Sequence, residues 1–377
     1  MKYFFISGES SGDHLSSLIA KELIQTHSAN IKAMGGHHLA ESGVDIIQHI
    51  DSISVMGWQE VISALPKFMR IMAHIKKEIL RFNPDTIVLV DFGSFNLRLA
   101  KWCKKQGYKV VYFIPPKVWA SREHRIEALK QYCDQIIVLF PFEKKYFNSK
   151  GLNAEYHGYP LANIRNETQR DSNFHSNYNL GIKPIIAILP GSRPQEIKYL
   201  LTPILQAAVR FQDYQICISQ AEGLRTEILE KYIPKSLHSQ VKIVSGKPYQ
   251  LLLHSEIAIV TSGTATLECA LLDTPMVVCY KTNLLNYLIA KRIIKVPYIS
   301  LPNLILSDNV VPELIQERCS AENIYSTIKS ILKSAQLSMQ KRSFSNIYKQ
   351  LYSINTISSI GKAINNQGQK LMENPES

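Results

Sequence analysis

Two glycine-containing turns in the C-terminal half carry residue types that bind phosphate. In the first, Leu189-Pro-Gly-Ser-Arg193, the glycine would let the backbone approach a ligand closely. Free N–H groups at the start of the following helix would attract an anion, and the guanidinium of Arg193 would meet phosphate oxygens as a rigid fork. The segment predicts an anion site, although an ordinary strand–turn–helix corner with a surface arginine has the same pattern.

The second turn runs through residues 262–268, and it again follows a predicted strand and opens a helix. Three hydroxyl groups and Gly263 surround the helix N-terminus, which offers a second place for an anion. Glu268 lies one helical turn beyond Thr264, where a carboxylate would suit the vicinal hydroxyls of a ribose; favourable placement in the first helical turn would also explain it. Ligands of open α/β sheets bind at the carboxyl ends of strands, so these two anion turns together predict a nucleotide-diphosphate sugar site.

The N-terminal half has carboxylates in comparable loops. Residues 7–13 follow the first predicted strand and include Glu9 and Asp13, which could orient a sugar hydroxyl or act as a base; a helix cap would also explain Asp13. Asp91 ends a predicted strand beside a glycine turn and is the first choice as general base. The loop at residues 7–13 does not have the G-x-G-x-x-G pattern, which argues against a nicotinamide cofactor.

A basic segment follows a later strand. It contains Lys117, Arg122 and Arg125, whose charges could meet an anionic acceptor. Trp119 stands among them. A lone tryptophan is more often a core residue, so both a packing role and an acceptor contact stay open for it.

Short apolar runs alternate with helical patterns along nearly the whole chain. Such runs are typical of parallel strands buried on both faces, so they predict an α/β protein with doubly wound, Rossmann-like sheets. The composition turns polar at residues 163–179, which we interpret as an interdomain linker. We expect domains at residues 1–165 and 175–340, with residues from about 340 to 366 returning to the first. The predicted strands are residues 2–6, 86–90, 109–114, 135–139, 184–189, 214–218, 241–244, 257–260 and 276–280.

The composition is that of a globular protein with a basic surface. The 377 residues are 45% hydrophobic and carry a net charge of +12, a size that favours two domains. The charge favours anionic partners, but the sequence has no zinc-finger spacing, aromatic RNA-binding signature or basic tail, so nucleic acid is not expected. No apolar stretch reaches the ~18 residues of a spanning helix. The six cysteines form no C-x-x-C pair, which favours reduced thiols in the cytosol.

Residues 58–82 predict a basic amphipathic helix. Apolar residues recur at spacings of three and four, basic residues lie off that stripe, and further apolar residues widen the apolar sector. Such a helix could lie on an anionic membrane, and packing on the sheet would explain it equally well. The apolar stripe consists of Val61, Leu65, Phe68, Met72, Ile75, Ile79 and Phe82.

Together these motifs closely resemble the bacterial lipid-A-disaccharide synthases. Each motif is modest alone, but their order and spacing are specific, and the resemblance extends from about residue 3 to residue 320. The segments that carry it are Ser7-Gly-Glu-Ser-Ser-Gly-Asp13, Val118-Trp-Ala120, Leu189-Pro-Gly-Ser-Arg193, Ser262-Gly-Thr-Ala-Thr-Leu-Glu268 and Leu301-Pro-Asn303.

The resemblance implies a GT-B glycosyltransferase, with two Rossmann-like domains facing a cleft and C-terminal helices that cross back to the first. It implies transfer of 2,3-diacylglucosamine from its UDP conjugate to 2,3-diacylglucosamine 1-phosphate, which yields UDP and a β-1,6-linked lipid A disaccharide 1-phosphate. Members of the family invert the anomeric centre, use no metal or cofactor, and act peripherally at the cytoplasmic face of the inner membrane. An anionic membrane surface is therefore an expected partner, as is a homodimer with exchanged C-terminal parts.

The resemblance and the loop positions together assign roles to individual residues. We expect the catalytic residues to be Asp91, Glu9 and Arg193. We expect the UDP-sugar to be bound by Gly191, Ser192, Arg193, Ser262, Gly263, Thr264, Ala265, Thr266, Glu268 and Asn303. We expect the acceptor to be bound by Ser10, Asp13, Asn96, Arg122 and Arg125.

One position departs from the family pattern. Some members have Asp-x-Pro-Asp-Phe-Asn where this chain has Asp91-Phe-Gly-Ser-Phe-Asn96. Ser94 therefore replaces a carboxylate that has been proposed to be catalytic, and a serine cannot act as a base unaided. Either Asp91 or a loop carboxylate such as Glu9 takes that role, or the base lies elsewhere.

Two other classes of function stay open from the sequence. A UDP-N-acetylglucosamine 2-epimerase would share the two-domain scaffold and the nucleotide-sugar site, but the basic amphipathic segment favours a lipid substrate. A non-catalytic nucleotide-binding or membrane-adaptor protein would bind UDP without turnover, and the polar loops in both halves argue against it.

Overall fold

A computed structural model of the chain describes residues 1–51, 61–333 and 335–369. Its contacts divide the chain into two compact units. The first unit holds Met1–Leu161 and the segment that begins at Leu351, and the second holds Ala162–Gln350. The end of the chain therefore returns to the first unit, as the family resemblance implies.

The first unit is built on a doubly wound parallel sheet. The strands lie in the order β3-β2-β1-β4-β5-β6-β7, and all neighbouring strands are parallel. The chain order reverses between β1 and β4, which makes the carboxyl ends of these strands a topological switch point. The strands are β1 (Lys2–Ser7), β2 (Asn30–Gly35), β3 (Asp45–His49), β4 (Thr86–Val90), β5 (Lys109–Phe113), β6 (Gln135–Val138) and β7 (Ala154–Tyr156).

The second unit repeats this plan with six parallel strands in the order β10-β9-β8-β11-β12-β13. Its switch point lies between β8 and β11, where Leu189 pairs with Val260. The two anion turns therefore leave adjacent strands at the same edge of the sheet. The strands are β8 (Ile185–Leu189), β9 (Gln215–Gln220), β10 (Val241–Ser245), β11 (Ser255–Thr261), β12 (Met276–Tyr280) and β13 (Glu313–Ile315).

Helices connect the strands in both units. In the described part of the chain they are α1 (Ser10–His27), α2 (His37–Glu41), α3 (Val61–Phe82), α4 (Gly93–Lys105), α5 (Ile126–Tyr132), α6 (Pro141–Ser149), α7 (Ile164–Glu167), α8 (Phe174–Asn177), α9 (Pro194–Ala208), α10 (Thr226–Glu230), α11 (Pro248–Leu253), α12 (Thr264–Leu271), α13 (Leu284–Ile293), α14 (Leu301–Leu306), α15 (Ala321–Lys333), α16 (Gln336–Leu351) and α17 (Thr356–Gln369). No helix among the described residues is both long and apolar enough to cross a membrane.

The sheets form because the central strands are apolar on both faces. Every residue of β4 and of β8 is buried, which is the pattern of parallel strands covered on both sides. Successive side chains alternate between the faces. Phe4 of β1 joins the core that includes residues of α3 and α4, whereas the hydroxyl of its neighbour Tyr3 bonds to Asn365 of α17.

The return to the first unit begins at Leu351, later than the expected residue 340, because α16 is fixed to the second unit. The buried side chain of Gln340 accepts the N–H of Met276 at 2.8 Å and donates to its carbonyl at 3.1 Å. In the first unit, α17 packs on α1, and a bond of 2.8 Å joins Tyr3 Oη to Asn365 Oδ1. The C-terminal helix α17 thus packs against the first helix and is bonded to the first strand of the chain.

Helix α3 packs on the sheet along the described part of its apolar stripe. Met72, Ile75, Ile79 and Phe82 are buried in the core of the first unit, and Phe68 is packed against it. Residues 58–60 and the side chains of residues 61–65 lie outside the described part. The described stripe therefore follows the sheet-packing interpretation, and it is not a surface that could lie on a membrane.

Candidate active site

Gly191 and Glu196 shape the first anion turn. Gly191 has a φ of 101°, and a Cβ there would lie 2.1 Å from Glu196 Oε2, so only glycine fits. Glu196 accepts the backbone N–H of Arg193 at 3.3 Å, and burial raises the pKa of Glu196 while Arg193 lowers it. The turn thus holds Arg193 at the start of α9, with 70% of its side chain exposed.

Side-chain hydrogen bonds stabilise the second anion turn, and there is open space at Gly263. Ser262 Oγ donates to the carbonyl of Ile299 at 2.8 Å, and Thr266 Oγ1 donates to the carbonyl of Gly263 at 2.8 Å. A Cβ placed on Gly263 would meet nothing within 4 Å. The hydroxyls of Ser262 and Thr266 therefore stabilise the turn, while Gly263 and the first N–H groups of α12 leave room for an anion.

Glu268 is hydrogen-bonded to Tyr249, a residue that was not predicted from the sequence to belong to the site. Burial raises the pKa of Glu268 to about 7, and a hydrogen bond from Tyr249 opposes that rise. Tyr249 belongs to α11, which follows β10. The carboxylate and the phenol oxygen beside it can both accept hydrogen bonds from vicinal hydroxyls. The signal in the sequence was Gly246-Lys-Pro-Tyr249, a third turn after a strand of this unit.

Asn303 is committed to the scaffold. It is fully buried, its Oδ1 accepts the N–H groups of Val310 and Val311 at 2.9 Å each, and its Nδ2 donates to Val311 and to Glu313 at 2.9 Å each. An asparagine side chain has two donors and two acceptor sites, and all four are used here. Asn303 was expected to bind the UDP-sugar, but its side chain has no hydrogen-bonding position left for that ligand. It instead joins α14 to β13.

Asp13 is likewise committed to the scaffold. Its carboxylate is 1% exposed and accepts the N–H groups of Gly36 at 2.6 Å and His38 at 3.0 Å. These N–H groups open α2, so Asp13 caps a neighbouring helix and not its own. Glu9 and Ser10 are exposed at the start of α1, where they can meet a ligand while Asp13 positions the loop.

Asp91 occupies a strained corner at the switch point of the first unit. Asp91 and Phe92 both adopt left-handed backbone angles, with φ values of 50° and 49°, which costs about 1–3 kcal/mol for each residue. The Asp91 carboxylate accepts the N–H of Phe92 at 2.9 Å, and Tyr112 donates to the Asp91 carbonyl at 2.7 Å. A Cβ on Gly12 would lie 3.5 Å from Asp91 Cβ, so this corner adjoins the loop at residues 7–13.

Asn96 holds that corner in place. It is fully buried, and its Nδ2 lies 3.3 Å from the carbonyl oxygen of Ile6, 3.1 Å from that of Val90 and 2.9 Å from that of Asp91. The side chain therefore joins the ends of β1 and β4. Asn96 was expected to bind the acceptor sugar. Its buried side chain instead positions Asp91.

Arg98 and Arg125 lie beside Ser94. Arg125 Nη2 donates to Ser94 Oγ at 2.8 Å, and these residues, with Leu97 and Arg98, line a cavity of about 190 Å³. Burial lowers the pKa of Arg125, and the charges of Arg122 and Arg98 lower it further. Arg98 was not among the residues predicted from the sequence; it lies four residues after Ser94 and thus on the same face of α4.

Trp119 supports the loop that carries these charges. Its Nε1 donates to Glu143 Oε1 at 3.0 Å, and Glu143 also accepts the N–H groups of Leu139 and Phe140 at 3.1 Å each. Burial raises the pKa of Glu143. Trp119 is thus a packing and anchoring residue, which agrees with the structural interpretation of a lone tryptophan.

One group of described residues has the side-chain types of a metal site. Ligand atoms of His37, His49 and Asp51 lie within 4.8 Å of one another. Asp51 Oδ2 is 3.7 Å from His37 and 3.2 Å from His49, and ion pairing of surface groups accounts for that proximity. We assign no metal to these residues.

The chain matches one family over most of its length. A family model described as Lipid-A-disaccharide synthetase matches residues 3–363. Lipid-A-disaccharide synthase of Anaeromyxobacter dehalogenans is 33% identical over 333 residues, which cover 87% of each chain. Lipid-A-disaccharide synthase 2 of Legionella pneumophila is 32% identical over 351 residues, which cover 91% of each chain.

Solved structures agree on the fold. A putative UDP-N-acetylglucosamine 2-epimerase from Listeria monocytogenes superimposes with a TM-score of 0.65, covering 98% of this chain and 97% of that one, at 11% sequence identity. At that identity the likeness establishes two Rossmann-like domains of the GT-B class and nothing about the reaction. The near-complete family match and the sequence identity to named synthases decide the rest: the chain belongs to the lipid-A-disaccharide synthase family.

Proposed function

We propose that the protein joins UDP-2,3-diacylglucosamine to 2,3-diacylglucosamine 1-phosphate and releases UDP. Family membership supports glycosyl transfer in lipid A synthesis. The observation that carries the site assignment is the pair of anion turns on adjacent strands of the second unit. Both lie at a switch point, where open α/β sheets bind their ligands.

The donor diphosphate would lie between the anion turns. The N–H groups that open α12 and the exposed guanidinium of Arg193 would face its oxygens, and Glu268 with Tyr249 would bind the ribose hydroxyls. Negative charge grows on the leaving UDP as its bond to the anomeric carbon breaks. Fixed positive groups at that place stabilise the transition state more than the bound substrate.

The acceptor phosphate would lie in the cavity at Ser94. Arg98 and Arg125 line this cavity. Besides burial, the positive charges of Arg122 and Arg98 lower the pKa of Arg125, so a bound phosphate would offset that repulsion. The hydrogen bond from Arg125 gives Ser94 a role in this anion site. The replacement of a carboxylate by serine at position 94 thus extends the positive surface and removes one candidate base.

Asp91 is the general base in this proposal. It would take the proton of the acceptor 6-hydroxyl as the oxygen attacks the anomeric carbon, and the bond from that carbon to UDP would break in the same step. The chain keeps Asp91 in a strained turn that Asn96 and Tyr112 brace. Strain of this kind gathers at active sites, which supports the choice of Asp91 over the exposed Glu9.

Release of UDP on mixing donor and diacylated glucosamine 1-phosphate tests the function directly. We expect UDP and a disaccharide phosphate only when both substrates are present. Incubation with UDP-N-acetylglucosamine alone distinguishes the epimerase alternative, because an epimerase converts that sugar without an acceptor. UDP binding without turnover in either assay would instead favour the non-catalytic alternative.

We also propose that the protein works peripherally at the cytoplasmic face of the inner membrane, as a homodimer with exchanged C-terminal parts. Acylated substrates and the net charge of +12 support attraction to an anionic membrane. The dimer rests on the family resemblance. Sedimentation of the purified protein over a range of concentrations tests it.

A further inference from the structure

Helix α13 presents its apolar side to solvent. None of the ten residues from Leu284 to Ile293 is buried. Leu284, Leu285 and Leu288 are 61%, 69% and 49% exposed, and Ile289 and Ile293 are 47% and 40% exposed. A surface helix of a globular protein normally turns such residues toward the core.

The orientation of α13 explains this exposure. At about 100° per residue, the exposed residues cover about half of the helix circumference. We call this side the outer face, and it consists of Leu284, Leu285, Leu288, Ile289, Arg292 and Ile293. The opposite side consists of Asn286, Tyr287 and Ala290, which are partly buried. The more polar side thus faces the protein, which is the reverse of a core-packed helix.

The charged residues of the segment that carries this helix are all positive. Residues 281–299 include Lys281, Lys291, Arg292 and Lys295 and contain no aspartate or glutamate. Lys291, Arg292 and Lys295 are exposed. An apolar face that includes Arg292 and is bordered by Lys291, in a segment with no acidic residue, is the pattern of a helix that lies in the interface of an anionic bilayer.

Hydrogen bonds hold the N-terminal end of α13 in place. Asn283 Oδ1 accepts the N–H of Asn286 at 2.7 Å and caps the helix. The buried side chain of Gln316 accepts the N–H of Thr282 at 2.8 Å and donates to its carbonyl at 3.1 Å. The outer face is therefore exposed on an anchored segment.

The segment leaves the sheet beside the proposed donor site. It follows β12, whose last residue, Tyr280, lies close enough for the charges of Glu196 and Arg193 to act on its pKa. Residues 281–293 thus start from the sheet edge that carries Arg193. A lipid surface that met α13 would lie near the place where an acylated donor sugar must bind.

We propose that α13 is a membrane-docking helix, which lays its outer face into an anionic lipid bilayer next to the donor site. A second copy of the chain is the less suitable occupant, because a two-fold contact of this face with itself would bring the positive charges of two copies together. The importance of a docking helix beside the donor site rests on the proposed function. The binding of α13 to lipid does not depend on it.

Cosedimentation with lipid vesicles tests the proposal on the full chain. We expect binding to vesicles of phosphatidylcholine with phosphatidylglycerol, weaker binding to phosphatidylcholine alone, and weakening by salt. Leu285→Ser combined with Ile289→Ser should lower the partition coefficient by about tenfold or more, because two large apolar side chains leave the bilayer. Lys291→Glu combined with Lys295→Glu should reduce only the part that depends on anionic lipid.

Matched control variants come from the same unit. Ile182 and Met339 are 103% and 62% exposed and lie outside α13, so Ile182→Ser combined with Met339→Ser should leave vesicle binding unchanged. Lys231→Glu combined with Lys235→Glu, at two exposed lysines outside α13, is the corresponding control for charge. Unchanged vesicle binding by the α13 variants would overturn the proposal. If these variants also became monomeric, the outer face would belong to a dimer interface instead.

Activity separates this inference from the proposed function. The α13 variants should keep UDP release from detergent-dispersed substrates and lose it from substrates embedded in vesicles. A protein that binds vesicles through α13 but forms no disaccharide would disprove the function and leave the docking helix standing. Full activity on embedded substrates without vesicle binding would overturn the docking helix alone.

Discussion

The loops at the two switch points use similar residues in opposite ways. In the second unit, Arg193 is largely exposed and Gly263 has open space above it. In the first unit, Asp13 and Asn96 are buried and bonded to backbone groups. In the proposed mechanism the second unit would use its loop side chains and helix N-termini for a ligand, whereas in the first unit Asn96 and Tyr112 hold the backbone of Asp91 in place.

The difference follows from what each loop must do. A diphosphate can be held by backbone N–H groups, and these need only small residues and a tight turn. A general base needs one side chain fixed at one place, and polar neighbours must supply the hydrogen bonds that fix it. Substitutions in the two sets of loops should therefore fail in different ways.

The largest effect is expected at Asp91. Asp91→Asn should lower turnover by about 100-fold to 10,000-fold, since it removes the base and nothing else. Asparagine tolerates the left-handed backbone nearly as well as aspartate, so the turn should persist. Initial rates of UDP release measure the effect, with Glu9→Gln as the matched variant. If Glu9→Gln fails and Asp91→Asn retains its turnover, the two carboxylates exchange roles.

Arg193 comes next. Arg193→Ala should remove about 2–4 kcal/mol of transition-state stabilisation, by analogy with the loss of one oxyanion donor. Its side chain is 70% exposed, so the free energy of unfolding should change by no more than about 0.5 kcal/mol. Kinetics and thermal unfolding of the same sample check both parts. Arg225→Ala, another exposed arginine of this unit, should change neither, and an unaltered rate in Arg193→Ala would remove Arg193 from the mechanism.

Asp13 should show the reverse behaviour. Asp13→Asn replaces one carboxylate oxygen by an N–H₂ group that faces N–H donors. We expect a loss of about 1–3 kcal/mol in the free energy of unfolding, because a buried donor loses its acceptor. UDP affinity should be unaffected, since the proposed donor site lies in the other unit. Denaturant unfolding and calorimetry measure the two quantities, and a stable variant with a raised KM for the acceptor would return Asp13 to the ligand.

The smallest effect concerns pH and Glu268, whose pKa is raised to about 7. The charged form accepts ribose hydroxyls better, so UDP affinity should fall by up to about tenfold for each unit of pH below 7. The folded protein holds this proton more tightly than the unfolded chain, so stability falls as pH rises from the ordinary value of 4.5 towards 7. Glu268→Gln should flatten both dependences, and a pH-dependent affinity that survives in it would assign the titration to another group.

Most central strands and the edge strand β10 could be predicted from the sequence, whereas β2 and the edge strands β3, β7 and β13 could not. β4 and β8 are continuous apolar runs because both of their faces are covered. β3, β7 and β13 are short and only partly buried, so their composition does not separate them from loops. Residues 190–193 and 262–264 were identifiable because small residues between a strand and a helix are a local pattern.

The roles of Asp13, Asn96 and Asn303 could not be predicted in this way. Each makes its hydrogen bonds mainly to backbone groups that the folded chain brings near, and their residue types suit a ligand equally well. The same reason explains the two apolar helices. The stripe of α3 and the outer face of α13 have similar compositions, and only tertiary structure decides that one packs inward and the other outward.

The bond between Tyr3 and Asn365 has a consequence for synthesis of the protein. It joins β1 to α17 across 362 positions of the chain, and α17 covers α1 as well. The second unit is contiguous in sequence from Ala162 to Gln350, so it can fold as soon as it leaves the ribosome. The first unit is complete only when its last helix has been made, so the half that is made first is completed last.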